Sequence, residues 1–144
     1  MTDTREAIEP AHPRMLPQLT EANRAFWTGG AEGRLLVPRC RDCRRWTLPP
    51  SGSCPACGGP TISEAASGRA RVLTWTVNSH QFHPDIPAPN LIAIVTLDEQ
   101  EDLRLATNLI ACEPGEIRAG MPVEVRFEHH GEIYYPLFTP AAEQ

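Results

Sequence analysis

Two Cys-x-x-Cys units, Cys40-Arg41-Asp42-Cys43 and Cys54-Pro55-Ala56-Cys57, lie ten residues apart in a chain of 144 residues. Each unit suits a tight turn that offers two sulfurs. The separation lets the two turns face one another and present four thiolates to one tetrahedral zinc ion. The second unit has the turn chemistry expected, with Pro55 inside it and Gly58-Gly59 behind it, where a positive φ is often needed. In the first unit Arg44 stands at the equivalent place, a weaker fit. Iron in the same four-sulfur cage, a pair of disulfides and empty thiols are the competing readings. The longest apolar run is only a few residues, too short to span a bilayer, and the polar start from Met1 to Pro13 lacks the apolar centre of a signal peptide. A cytoplasmic location is therefore expected, and a reducing compartment favours metal ligation over disulfides.

Four protein thiolates leave no open coordination position, so Zn2+ held by Cys40, Cys43, Cys54 and Cys57 is expected to be structural. The chain needs such a staple. At this length one core can form, but two sub-domains of half the size would each be marginal. The fifth cysteine, Cys112, follows the apolar stretch Leu109-Ile110-Ala111 with no base beside it in sequence, and reads as an inert buried thiol.

The remaining pattern divides the chain into residues 1–33, 34–66 and 67–144. Residues 1–14 are polar and Pro-containing, expected to be disordered or laid over a partner. From Met15 to Thr28 the apolar positions Leu16, Leu19, Phe26 and Trp27 recur at helical spacing, Thr20 is a candidate cap, and Gly29-Gly30 ends the run. The Phe26-Trp27 pair suits packing on this protein or docking on a partner equally well. Leu35-Leu36-Val37 and Trp46-Thr47-Leu48 read as short strands of a rubredoxin-like zinc ribbon. From Gly68 the period becomes two and β-branched residues accumulate, in 71–77, 91–97, 103–109, 121–127 and about 133–138. Asp98 to Asp102 forms the turn between the second and third runs, and Glu113 to Ile117 a helical turn or loop before the fourth. The fold expected is mainly β: an N-terminal helix, a zinc ribbon, then a five-stranded oligomer-binding (OB) β-barrel that closes its own edges.

Charge is unevenly spread. All 13 basic residues are Arg. Residues 34–71 carry +5, from seven Arg against Asp42 and Glu64, while residues 98–144 carry −7, from ten acidic residues against three Arg. Arg39, Arg41, Arg44 and Arg45 crowd the first Cys turn. They either offset the negative zinc-thiolate centre or present planar bidentate donors to a phosphate or carboxylate. A ribbon joined to an OB barrel is a common nucleic-acid module, but the acidic second half of this barrel repels a polyanion, so that function is the alternative. No catalytic residues are assigned. His80 and His83 in the His80-Gln81-Phe82-His83 loop have no carboxylate or nucleophile placed with them, and His129-His130 ends an acidic strand.

Together these residues resemble a known family, the zinc-ribbon and OB-fold proteins associated with acyl-CoA metabolism and long described as a domain of unknown function. The likeness runs through Glu32-Gly33-Arg34-Leu35, Arg39-Cys40 to Cys43, Trp46, Pro49-Pro50 and Cys54 to Gly58. It continues through Gly68-Arg69-Ala70-Arg71-Val72, Trp75-Thr76, Thr107-Asn108-Leu109, Ile117 to Val123 and Phe127-Glu128. Ser51 stands where the family has a basic residue, so no phosphate contact is carried over to it. The resemblance implies a non-catalytic subunit that docks on a thiolase-superfamily enzyme, a thiolase or an acyl-CoA retro-aldolase such as those of steroid side-chain degradation, in a hetero-oligomer of the two-plus-two kind. It also implies that the subunit helps form or order the enzyme's acyl-CoA site, with a hot-dog-fold enoyl-CoA hydratase as the alternative partner. On this reading Arg39, Arg41, Arg44 and Arg45 meet the phosphates of CoA, and Phe26 and Trp27 meet the partner.

Overall fold

A computed structural model describes residues 6–142. The alternating runs become two antiparallel sheets. Strand β1 (Leu35–Cys40) pairs with β2 (Thr61–Ala66), Leu35 opposite Ala66 and Cys40 opposite Thr61, and the two Cys turns hang from the far end of this ribbon. The second sheet holds β3 (Arg69–Asn78), β4 (Asn90–Leu97), β5 (Arg104–Asn108), β6 (Pro122–His130) and β7 (Ile133–Pro140) in the order β5-β4-β3-β6-β7. Its two outer strands meet: Leu109 bridges Phe138 in parallel, and the Ile110 N–H donates to the Phe138 carbonyl at 2.9 Å. The sheet thus closes as an OB barrel does, leaving no free edge at that seam.

The period-two pattern explains the core. Ala70 and Val72 of β3, Ala93, Val95 and Leu97 of β4, and Val123, Val125 and Phe127 of β6 alternate with more exposed neighbours and point inward. Leu35, Val37 and Trp46 of the ribbon belong to the same buried cluster, so ribbon and barrel share one core. Hydrogen bonds fasten that junction. The Gln100 side chain, in the acidic turn between β4 and β5, accepts from the Trp46 N–H and donates to the Trp46 carbonyl, both at 2.9 Å. Glu99 accepts from the Ser67 N–H at 2.7 Å, and Arg45 pairs with Asp102. Part of the charge asymmetry between ribbon and barrel is thus consumed in holding the two together.

The N-terminal helix is shorter than its spacing suggests. Only α1 (Arg24–Thr28) is α-helical, followed by a 3-10 turn over Gly29–Glu32. Pro17 interrupts the earlier part, since a proline inside a helix removes a backbone donor and clashes with the preceding turn. Thr20 does act at the entry: its hydroxyl accepts from the Asn23 N–H at 3.2 Å, while the Asn23 side chain accepts from the Thr20 N–H at 2.7 Å. The α-helix does end where Gly29-Gly30 begins, with Gly29 as its C-cap, and the 3-10 turn that follows stops at Gly33, where φ is +69°; Gly30 is not itself a cap. Gly30 is demanded by packing instead. A Cβ there would lie 2.5 Å from Tyr134 Cβ and 2.6 Å from Phe127 Cδ1. Gly30→Ala is expected to destabilise the protein by about 1–3 kcal/mol, measured by chemical denaturation, because the rigid Phe127 ring must give way.

Residues 6–14 are neither disordered nor free; residues 1–5 lie outside the described part. Ile8 adds to β6, its N–H donating to the Phe127 carbonyl at 2.8 Å and its carbonyl accepting from the His129 N–H at 3.0 Å. Further along this strap, the Arg14 guanidinium bonds Glu128 and donates to Asn108 Oδ1 at 2.8 Å. Glu128 also meets His130 Nε2 at 2.7 Å. Glu128 is only 3% exposed, so this is an ionic cluster inside the fold that anchors the N-terminal segment.

Candidate metal centre and its surroundings

The two Cys turns adopt one local geometry. In the first, the Arg44 N–H returns to the Cys40 carbonyl at 3.0 Å; in the second, the Gly58 N–H returns to the Cys54 carbonyl at 2.8 Å. Both closing residues are left-handed, Gly58 at φ +78° and Arg44 at φ +66°. The weaker fit of Arg44 is real, because a residue with a Cβ pays of order 1–2 kcal/mol there. Its carbonyl is held from outside by Arg39 Nε at 2.7 Å, and Arg39 is in turn laid over the Trp46 ring at 4.6 Å. Gly59 allows the turns to approach, since a Cβ on it would sit 2.6 Å from Asp42 Oδ2 and 3.0 Å from Cys40 Sγ.

This approach brings Cys40, Cys43, Cys54 and Cys57 together, with all four sulfurs within 4.8 Å of one another. Cys40 and Cys57 are 3.4 Å apart and Cys43 and Cys54 3.7 Å, too far for disulfides, and all five cysteines are free. A tetrahedral ion with metal–sulfur bonds of ~2.3 Å needs sulfurs about 3.8 Å apart, so the set lies close to the arrangement one such ion requires. The thiols divide in charge. The Cys43 N–H, outweighing burial, lowers Cys40 to about 7, and Cys54 is lowered in the same way by the Cys57 N–H. At Cys57 the Gly59 N–H favours the thiolate, but the Cys40, Cys43 and Cys54 sulfurs together push it up to about 12. Four thiolates cannot crowd into this volume unaided, and a cation bound between them would let all four ionise.

Three of the four arginines around the first turn already have partners. Glu64 of β2 receives two bonds from Arg44, at 2.9 and 3.0 Å, and one contact from Arg39 at 3.5 Å. The Arg44 guanidinium holds the Glu64 carboxyl below its ordinary range. Arg45 pairs with Asp102, and Arg41 is exposed with no ion pair among the described residues. Phe26 is 3% exposed and belongs to the protein's own core, while half-buried Trp27 packs edge-on against it and 5.0 Å from Tyr135. The His80 ring lies 4.4 Å from Phe82, and His83 Nδ1 accepts from the Asp85 N–H at 3.1 Å, both inside the β3–β4 loop. Cys112 is half-buried, its thiol pushed up by burial and by Glu116 and Glu113, and it lines an apolar cavity of about 650 Å³ at the barrel mouth with Met15, Leu91, Leu109 and Tyr135. Sequence reasoning missed this cavity, the Glu64 partner and the Arg14–Glu128–His130 cluster, none of which has a local motif.

Comparison with known proteins places the same parts in the same order. Residues 27–63 match the family described as "ChsH2, rubredoxin-like zinc ribbon domain", and residues 63–128 that described as "ChsH2, C-terminal OB-fold domain". A solved chain described as "Ltp2-ChsH2(DUF35) aldolase" is 35% identical, with a TM-score of 0.75 over 88% of this chain and 100% of that one. A DUF35-family protein of unknown function from Sulfolobus solfataricus, 15% identical, shares the fold at a TM-score of 0.60 over 84% of this chain and 86% of that one. A "Probable enoyl-CoA hydratase alpha subunit" of Thermomonospora curvata is 36% identical over 94% of this chain, which spans only 43% of that longer protein. A "DUF35 domain-containing scaffold protein" of Methanocaldococcus jannaschii is 33% identical over 65% of this chain and 67% of its own length. No helix among the described residues is long and apolar enough to cross a membrane.

Proposed function

This chain belongs to the ChsH2 family of zinc-ribbon and OB-fold proteins, the DUF35 family, and from that premise we propose that it is a non-catalytic subunit of an acyl-CoA enzyme. Its partner is a thiolase-superfamily enzyme, a thiolase or an acyl-CoA retro-aldolase of the kind used in steroid side-chain degradation, and the subunit helps form or order that enzyme's acyl-CoA site. The observation that carries this reading is the likeness along the full length of a chain from an aldolase described by two protein names, Ltp2 and ChsH2. A hydratase partner is the second reading, favoured by the Thermomonospora curvata relative. The metal is zinc, held by Cys40, Cys43, Cys54 and Cys57, and its role is structural.

The arginines of the first turn then face the phosphates of CoA. Arg41 has no ion pair among the described residues, and the exposed pairs Arg44–Glu64 and Arg45–Asp102 are screened by solvent and weak enough for a phosphate to displace the carboxylates. Titration of a CoA thioester into the assembled complex tests this. Arg41→Ala with Arg44→Ala is expected to weaken binding at least tenfold. Tight binding of single-stranded DNA or RNA that falls steeply with salt, with no response to CoA thioesters, would identify a nucleic-acid module instead.

A further inference from the structure

Strand β3 is paired on both sides for only part of its length. It pairs with β6 only over Arg69–Arg71, and the Val72 N–H and carbonyl engage Met121 and Gly120. A register shift between Val72 and Thr74 then turns β3 away from β6. From Thr74 to Asn78 its pairing is to β4 alone, and no described residue pairs with the opposite edge. Leu73, Thr74, Trp75, Thr76 and Val77 are all exposed, five in succession within one strand. Leu73, Trp75 and Val77 stand at 43%, 36% and 40%, and Ile92 and Ile94 on neighbouring β4 at 38% and 36%.

Exposed strand edges invite pairing, and proteins protect them with charges, prolines or covering segments. This edge carries neither charge nor proline, and the bulge at Leu73 is the one protective device at its start. No Asp, Glu, Lys or Arg occurs from Val72 to His83, and no Pro from Val72 to Asn78. The sequence is also self-complementary. An antiparallel pairing of Leu73-Thr74-Trp75-Thr76-Val77 with its own copy, two-fold axis through Trp75, sets Leu73 opposite Val77, Thr74 opposite Thr76 and Trp75 opposite Trp75. Apolar then meets apolar, hydroxyl meets hydroxyl and no charge is buried. We infer that the free edge of β3 is an interface with a second copy of this chain, joining two barrels edge to edge about that axis in an isologous dimer.

Sedimentation equilibrium of the full chain with its metal, at micromolar concentrations, is expected to give twice the 15.9 kDa chain mass. Trp75→Lys puts like charges on the axis and is expected to raise the dissociation constant at least tenfold. Thr74→Cys with Thr76→Cys places a thiol opposite a thiol across the interface, and mild oxidation should give a covalent dimer that wild type, with its own five cysteines, does not form. The covalent test stands even if Trp75→Lys fails to fold. A monomeric wild type with no cross-linking of the double variant overturns the inference, including the case in which the chain associates only when an enzyme partner is added. So does a dimer indifferent to Trp75→Lys and without the cross-link. None of these outcomes bears on the acyl-CoA role, which a monomer could equally perform.

Discussion

Cys54→Ser is expected to abolish stoichiometric zinc binding and unfold the ribbon, the largest single effect on this protein. Wild type purified without chelator should contain about one zinc per chain, and the variant well below that. Two strands of six residues each form the ribbon, and a two-stranded sheet in water is marginal at best. Its turns are held by four sulfurs that only a cation can keep ionised together. Structural zinc in comparable four-ligand sites contributes ~10–16 kcal/mol of apparent binding free energy near neutral pH, more than the ribbon's own contacts can replace. Hydrogen exchange should show the amides of Leu35–Cys40 and Thr61–Ala66 losing protection while β4 and β6 keep theirs. A variant with full zinc content, or a chelated wild type with unchanged ribbon protection, would contradict the four-thiolate site.

The second large effect is expected at Arg14. Arg14→Ala leaves Glu128, 3% exposed, with His130 as its remaining partner, and breaking a buried ion pair from one side costs ~3–5 kcal/mol. For a chain of this size that is roughly 10–15 °C in Tm. Limited proteolysis should then cleave within residues 6–15, because the strap would lose its ionic anchor and keep the two backbone bonds at Ile8 and the long Tyr135 hydroxyl bond to the Met15 carbonyl. The same cluster sets a pH dependence. Burial works to raise the Glu128 pKa, but the Arg14 bond and His130 outweigh it, and the carboxyl titrates below its ordinary value. A depressed folded pKa contributes stability that is present above the unfolded carboxylate value of about 4.3 and is lost as pH falls through the folded one. The Tm advantage of wild type over Glu128→Gln should therefore be full at neutral pH and disappear as acid protonates Glu128. Metal release at low pH affects both proteins and cancels in the comparison. A difference unchanged between pH 7 and pH 3 would show that Glu128 is not charged in the folded state.

These two features differ in how far the sequence revealed them. The cysteine turns were legible because metal ligation needs fixed residues at fixed spacing, and because four closed ligands leave few other purposes. The barrel was legible where one face of a strand is buried, since Val123, Val125 and Phe127 then alternate with the half-buried Glu124 and Arg126. Strand β2 was not, because Thr61–Ala66 has few apolar residues and owes its conformation to pairing with β1. The helix over-extended because spacing alone registered Leu16 and Leu19 while Pro17 between them forbids the backbone. Glu128 carried no local signal: it sits beside Phe127 with both side chains buried, against the strand period, and its partner Arg14 is 114 residues away. The arginine cluster shows the same limit. A surplus of Arg near the thiolates suggested a waiting anion, yet Glu64 and Asp102, distant in sequence, already pair with three of the four.

The proposed role as an enzyme's subunit is tested most directly by co-expressing the chain with a thiolase-superfamily enzyme from its own genome, and measuring co-purification together with turnover of an acyl-CoA substrate. A stable complex is expected, with enzyme activity or solubility at least tenfold higher than without the chain. An enzyme that purifies alone, equally soluble and equally active in its absence, would contradict the account.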